Sequence, residues 1–103
     1  MPYDSVLAAL ADPTRRAILE RLREQPSSVG RIADTLPVSR PAVSQHLRVL
    51  KQAGLVRERA EGARRVYRAE PRGLVELKQY LDTLWDDVLE SFRAEAEKDG
   101  EEE

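Results

Sequence analysis

The sequence predicts a mainly α-helical domain carrying one small β-hairpin, with elements in the order α-α-α-α-β-β-α. Three patterns predict it. Apolar residues recur at three- and four-residue spacing behind good helix caps in the first half. Two short extended runs flank Gly62. A seam of apolar residues at similar spacing fills much of the last third. The 103 residues suffice for one domain. That domain is expected over residues 1–98, with Asp99-Gly100-Glu101-Glu102-Glu103 as a disordered acidic tail.

A short first helix spans Ser5–Leu10, with Val6, Leu7 and Leu10 on one face. Asp12 is a good N-cap, and Pro13 suits the first helical position, where its missing N–H is no loss. That second helix runs to about Arg23 with the stripe Ile18, Leu19 and Leu22. Gln25-Pro26-Ser27-Ser28 breaks the chain, and Ser28 can cap a third helix carrying Val29, Ile32, Ala33 and Leu36. Ser39 caps a fourth helix, Pro41 fits its first turn, and Val43, Leu47 and Leu50 form its buried stripe. Gly54 ends it as the residue past the C-cap. Two helices joined by a tight turn make a helix-turn-helix. Val56–Ala60 and Arg64–Ala69 then flank Glu61-Gly62-Ala63, a three-residue hairpin connection, and a basic hairpin in this place is a wing. Glu70-Pro71 opens a long last helix reaching Lys98. The architecture expected is a winged helix-turn-helix.

Net charge is −2, but it is unevenly spread. Residues 1–30 are neutral, residues 31–72 carry +6 and residues 73–103 carry −8. Overall acidity argues mildly against nucleic acid, whereas the local charge of the middle argues for it. On the fourth helix, Pro41, Gln45, Arg48 and Gln52 lie opposite the buried stripe, flanked by Arg40, Ser44 and Lys51. Gln, Arg and Ser can read base edges in a major groove, and Ser44 and Arg48 can equally hold phosphates. The alternative is an ordinary surface helix. His46, the single histidine, lies at the edge of the stripe and fits either a DNA contact or a packed position. The hairpin carries Arg57, Arg59, Arg64, Arg65 and Arg68; Arg64 and Arg65, just past the turn, are best placed for a minor groove or its phosphates. Tyr67 is expected to pack on the core.

In the last helix, apolar residues at 74, 77, 81, 84, 88 and 92 form a coiled-coil-like seam, widened by Val75, Tyr80, Trp85 and Leu89. Pro71 to Lys98 is 28 residues, about 42 Å of helix. A compact domain of this length is about 33 Å across. The seam Leu77, Leu81, Leu84, Trp85, Val88 and Phe92 therefore implies a partner, most simply a second copy. The alternative is a helix folded back or broken near Asp86-Asp87.

With no Cys and one His, disulfides, thiolate metal sites and clustered imidazoles are excluded, so no metal or cofactor is expected. No phosphate-binding loop or nucleophile elbow occurs, so the chain is expected not to be an enzyme. The longest apolar run, Val6–Ala11, is too short to span a bilayer, and Met1-Pro2-Tyr3-Asp4 opens no signal peptide. A cytoplasmic location and no membrane contact are expected.

The stretch Leu10-Ala11-Asp12-Pro13-Thr14-Arg15-Arg16-Ala17-Ile18-Leu19 resembles the ArsR family of bacterial winged-helix repressors. So do Val38 to Leu50, Ala53-Gly54-Leu55-Val56 and Arg64-Arg65-Val66-Tyr67-Arg68. The resemblance covers residues 5–92. It implies a homodimeric repressor of double-stranded DNA, often controlling its own operon. By similarity Ser39, Arg40, Ser44, Gln45 and His46 fall on positions that meet DNA, with Arg59, Arg64 and Arg65 in the wing. The dimer would join first and last helices, adding Val6 and Leu10 to the seam. Many members sense metals through Cys in the helix before the turn, but Arg31-Ile32-Ala33-Asp34-Thr35-Leu36 has none. The chain resembles the branch without metal sites, and no small-molecule or protein inducer has a signature here. A second reading keeps the winged helix but gives its basic face an acidic protein partner or its groove a small ligand.

Overall fold

Three side-chain caps set the helix starts. Asp12 accepts hydrogen bonds from the backbone N–H groups of Thr14 at 2.8 Å and Arg15 at 3.2 Å. Ser28 accepts from Arg31 N–H and Ser39 from Ala42 N–H, each at 3.3 Å. These bonds satisfy donors that the first helical turn leaves without partners. A computed structural model describes Met1 and residues 3–101. It contains α1 (Asp4–Leu10), α2 (Pro13–Glu24), α3 (Val29–Thr35), α4 (Arg40–Gln52), β1 (Val56–Glu61), β2 (Arg64–Ala69) and α5 (Arg72–Glu101). The order is the one expected from the sequence.

The expected stripes converge on one core. Ile18, Leu19 and Leu22 of α2, Ile32 of α3, and Val43, Leu47 and Leu50 of α4 are all buried, together with Ala53, Leu55 and Val56. Truncating such a residue to Ala costs about 2–5 kcal/mol, against about 1 kcal/mol for a lost cap, so packing outweighs capping here. Arg15 clasps α1 against α2, donating from Nε to Ala9 O at 2.8 Å and from Nη2 to Ala8 O at 3.0 Å. Arg16 donates to Leu10 O at 2.8 Å. The carbonyl-rich C-terminal end of α1 is thereby satisfied by cations that a helix C-terminus favours.

Gly54 closes α4 with φ +74°, a backbone conformation that glycine adopts without strain. Its N–H donates to Lys51 O, and Leu55 N–H donates to Leu50 O at 2.9 Å. The strands pair antiparallel from Val56↔Ala69 to Glu61↔Arg64. β1 extends through Glu61, so the connection is the two residues Gly62-Ala63 rather than three, with Gly62 at φ +63°. A two-residue turn of this hand matches the natural strand twist. β2 also exchanges two backbone hydrogen bonds with Ser27, at 2.9 and 3.0 Å, which tethers the hairpin to the α2–α3 loop.

The last helix is unbroken through Asp86-Asp87 and gives the molecule its 71 × 24 × 23 Å extents. It continues through Asp99 and Gly100 to Glu101, positions expected in a tail; Glu102 and Glu103 lie outside the described residues. Only its start meets the body. Leu77 packs on the core, and Tyr80 stacks on Tyr3 with ring centroids 4.1 Å apart. Leu81, Leu84, Trp85, Val88 and Phe92 are exposed, Trp85 by 62% and Phe92 by 66%. Val6, expected at an intermolecular interface, is fully enclosed in the protomer's own core, because α1 lays that side on α2 and α4. Its neighbour Leu7 is the exposed one, and Leu10 is half-buried against the core.

Gly73, which no sequence pattern singled out, is the docking point of α5. Its N–H donates to Gly54 O at 2.9 Å, and a Cβ there would collide with the carbonyl oxygen of Ala53. Gly73→Ala would gain about 1 kcal/mol of helix propensity. Forced separation of α5 from the α4 terminus outweighs it, for an expected net loss of about 1–3 kcal/mol. Denaturant unfolding measures this; unchanged stability would mean that the contact is not tight.

Candidate nucleic-acid interface

The stripe that buries α4 also aims its other side. With Val43, Leu47 and Leu50 locked in the core, Ser39, Arg40, Pro41, Ser44, Gln45 and Arg48 are exposed. Ser39 is occupied as the N-cap, so its hydroxyl oxygen already serves the helix. The Arg40 guanidinium lies over Gly30 of α3, where an added Cβ would come within 3.2 Å of its Cζ. His46 is half-buried and turned toward α2, its Nδ1 3.5 Å from Arg15 Nη1. Its ring thus lies partly inside the fold and partly at the surface.

Folding brings the wing beside this face. A cleft of about 480 Å³ joins Arg31 and Asp34 of α3, Arg40 of α4, and Arg64 and Arg65 of β2. A second, of about 350 Å³, joins Ser44, Arg48 and Lys51 of α4 with Glu58, Arg65 and Tyr67 of the hairpin. The hairpin arginines divide into two groups. Arg57, Arg65 and Arg68 pair with Glu70, Glu58 and Glu61 at 3.7, 3.3 and 3.1 Å. Arg31, Arg40, Arg48, Arg59 and Arg64 have no ion pair among the described residues. Their guanidiniums can meet phosphates without first losing an internal partner.

Sequence reasoning missed Arg31 and Glu58 as members of this surface, and it set Lys51 on the flank of α4 without its partner. Arg31 stood only in the charge total of the middle segment. Lys51 and Glu58 belong to a helix and a strand, and no helical or strand period relates them. The Lys51 ammonium donates to Glu58 Oε1 at 2.6 Å. Glu58 is one-fifth exposed. The hydrogen bond from Lys51, then that from the Tyr67 hydroxyl, and next the Arg65 guanidinium hold its carboxyl down at about 2, against desolvation. Burial in turn pushes the Tyr67 hydroxyl up. Tyr67 packs on the core, as expected.

Two helices joined by a short turn, a second helix with Ser, Gln and Arg turned outward, and a cationic hairpin beside it define a winged helix-turn-helix of the DNA-binding class. A family model described as a helix-turn-helix domain matches residues 10–59. The chain is 51% identical over 98 residues to the HTH-type transcriptional regulator Rv2034 of Mycobacterium tuberculosis, covering 95% of this chain and 92% of that one. It superposes on an ArsR-like transcriptional regulator from Rhodococcus sp. RHA1 with a TM-score of 0.78 at 36% identity, covering 88% and 89% of the two chains. A homodimeric winged helix-turn-helix DNA-binding domain, Mb0332 from Mycobacterium bovis, matches with a TM-score of 0.67 at 31% identity, covering 86% and 82%. The chain belongs to the ArsR family of winged helix-turn-helix transcriptional regulators. No helix among the described residues is long and apolar enough to cross a membrane. No group of three or more His, Cys, Asp or Glu side chains able to hold a metal occurs among them.

The ties to Glu58 predict an acid sensitivity. Its carboxyl is lowered from 4.5 to about 2, so the stabilisation it lends is present above pH 4.5 and fades as pH falls toward 2. Glu58→Gln should cost about 1 kcal/mol at neutral pH, the scale of a partly exposed ion pair. That difference between wild type and variant should shrink when unfolding is measured near pH 3. A constant difference would show that the carboxylate charge is not what holds the hairpin to α4.

Proposed function

We propose that the chain is a homodimeric repressor that binds a palindromic DNA operator, including one before its own operon. The carrying observation is the exposed row Ser44, Gln45 and Arg48 on a helix whose opposite side is wholly buried, beside Arg40 and Arg64, which have no ion pair among the described residues. In this reading α4 enters a major groove. Gln45 reads adenine and Arg48 reads guanine, while Ser39, Arg40, Pro41 and Ser44 fix register on the backbone. The wing lays Arg59 and Arg64 on the adjacent minor groove, with Arg65 behind them. His46 orients α4 through Arg15 instead of reading a base. Occupying an operator with a rigid dimer blocks transcription from it.

The chemistry also favours a signal other than a soft metal, because the chain offers zero Cys and one His. A cytoplasmic location and a purely binding role, without catalysis, complete the proposal. The domain is taken as residues 1–98, with α5 itself running on to Glu101.

Selecting bound duplexes from a random pool, followed by footprinting the chain's own upstream region, tests the central claim. Gln45→Ala and Arg48→Ala should each weaken binding to the selected operator by about 1–3 kcal/mol and relax specificity, with stability retained. If both bind that operator as tightly as wild type, α4 is not the reading helix.

The dimer rests on α5. Leu81, Leu84, Trp85, Val88 and Phe92 are exposed along a helix of 30 residues, about 45 Å long, with Leu7 and Leu10 of α1 near its base. A related domain of the same fold is homodimeric. Acidic side chains can face outward while this seam stays dry, and burying one Trp is worth about 3 kcal/mol against screened repulsion. Two-fold symmetry would set the recognition helices about 34 Å apart, one DNA turn. Sedimentation of wild type should give near twice 11.7 kDa. Trp85→Ala or Leu81→Asp should shift it toward monomer and abolish operator binding together. A micromolar monomer that still binds tightly would refute this arrangement.

A further inference from the structure

An acidic side chain sits in the middle of the cationic face. Glu58 lies on β1, in the cleft between α4 and the wing, where Ser44, Arg48 and Lys51 face Arg65 and Tyr67. A carboxylate there repels any DNA phosphate approaching the cleft. It is also the shared anchor of two cations from different elements: Lys51 of α4 at 2.6 Å and Arg65 of β2 at 3.3 Å. The nearby Arg48 and Arg64 carry no such partner among the described residues.

Resting on the reading of this face as a duplex-DNA surface, we infer that Glu58 is a specificity-determining residue: it withholds Lys51 and Arg65 from the DNA backbone. Phosphate contacts carry no sequence information, and each adds affinity for random and cognate duplexes. On random DNA the protein is free to choose the pose with most backbone contacts. On its operator the base contacts of α4 fix the pose. Restraining two cations therefore lowers random binding more than operator binding, and a regulator must win against a vast excess of random sites. The same three-way tie locks β1 and β2 to the end of α4, so the wing keeps one angle to the reading helix. The carboxyl is held near 2, so it stays ionised at neutral pH and the restraint is constant rather than pH-gated.

The test measures binding of the full chain to a random-sequence duplex and to the selected operator across a salt series. Glu58→Gln removes the charge and keeps the shape. Its log–log salt slope on the random duplex should steepen by about one for each cation freed, up to about two. Random binding should tighten more than operator binding, so the ratio between them falls. Glu58→Ala should move the slope in the same direction. The triple variant Glu58→Gln/Lys51→Gln/Arg65→Gln should return it to the wild-type value. A Glu58 that only holds the wing in shape would, when replaced, weaken operator binding with no steeper slope, and that result overturns the inference. A steeper slope that the triple variant does not reverse overturns it as well, since other cations would then be responsible. If wild type shows no salt-dependent duplex binding, the DNA-surface reading itself falls and this inference falls with it.

Discussion

Everything functional in this molecule depends on how Val43, Leu47 and Leu50 are buried. Those three side chains of α4 sit at 0–1% exposure among Ile18, Ile32 and Leu55, so the helix cannot roll. A helix fixed on one side presents a determined other side, because side chains three and four apart share a face. Ser44, Gln45 and Arg48 are therefore held in place by residues that never touch solvent. The caps at Ser39 and Gly54 set where this helix begins and ends. They contribute about 1 kcal/mol apiece, less than any one of the buried residues.

Charge is organised by the same geometry. The hairpin looks uniformly basic along the chain, but three of its five arginines are matched to carboxylates of the hairpin or the segment after it. Arg31, Arg40 and Arg64, which have no ion pair among the described residues, line one cleft shared by α3, α4 and β2. Most of the acidic excess of residues 73–103 lies on α5, which leaves the body after Tyr80. A cationic face on the body and an acidic rod beyond it keep like charges within each region and opposite charges apart. Such a distribution steers a polyanion toward the body and away from the rod.

The rod itself is held at one end. Gly73 lets α5 come against the end of α4, Leu77 reaches the core and Tyr80 stacks on Tyr3. Beyond that point apolar side chains stand in solvent on a single protomer. A contiguous apolar face of this size on a small protein marks an interaction surface. Docking α5 next to the α4 terminus also links that surface mechanically to the reading helix through Gly54, which hydrogen-bonds Gly73.

Much of the fold was legible along the chain because it depends on local chemistry. Caps at Asp12, Ser28 and Ser39, glycines at 54 and 62, and stripes at helical spacing are properties of neighbouring residues, and each is seen in the structure. The order α-α-α-α-β-β-α and the outward row of α4 followed from them. What local patterns could not supply were contacts between distant elements. Val6 sits on an apolar face that could equally turn inward or outward, and only packing against α2 and α4 buried it. The wing arginines are alike in sequence, and only the register of β1 with β2 and the approach of Lys51 separated Arg65, held by Glu58, from Arg64, which has no ion pair among the described residues. Gly73 carries no periodic signal, and its role exists only where α5 meets the carbonyl of Ala53. The sequence by itself determined the elements, their buried sides and the basic character of the middle, because these arise within a few residues of chain. The tertiary structure alone decided which charges are spent on one another and which remain for a partner, because that depends on distances across the fold.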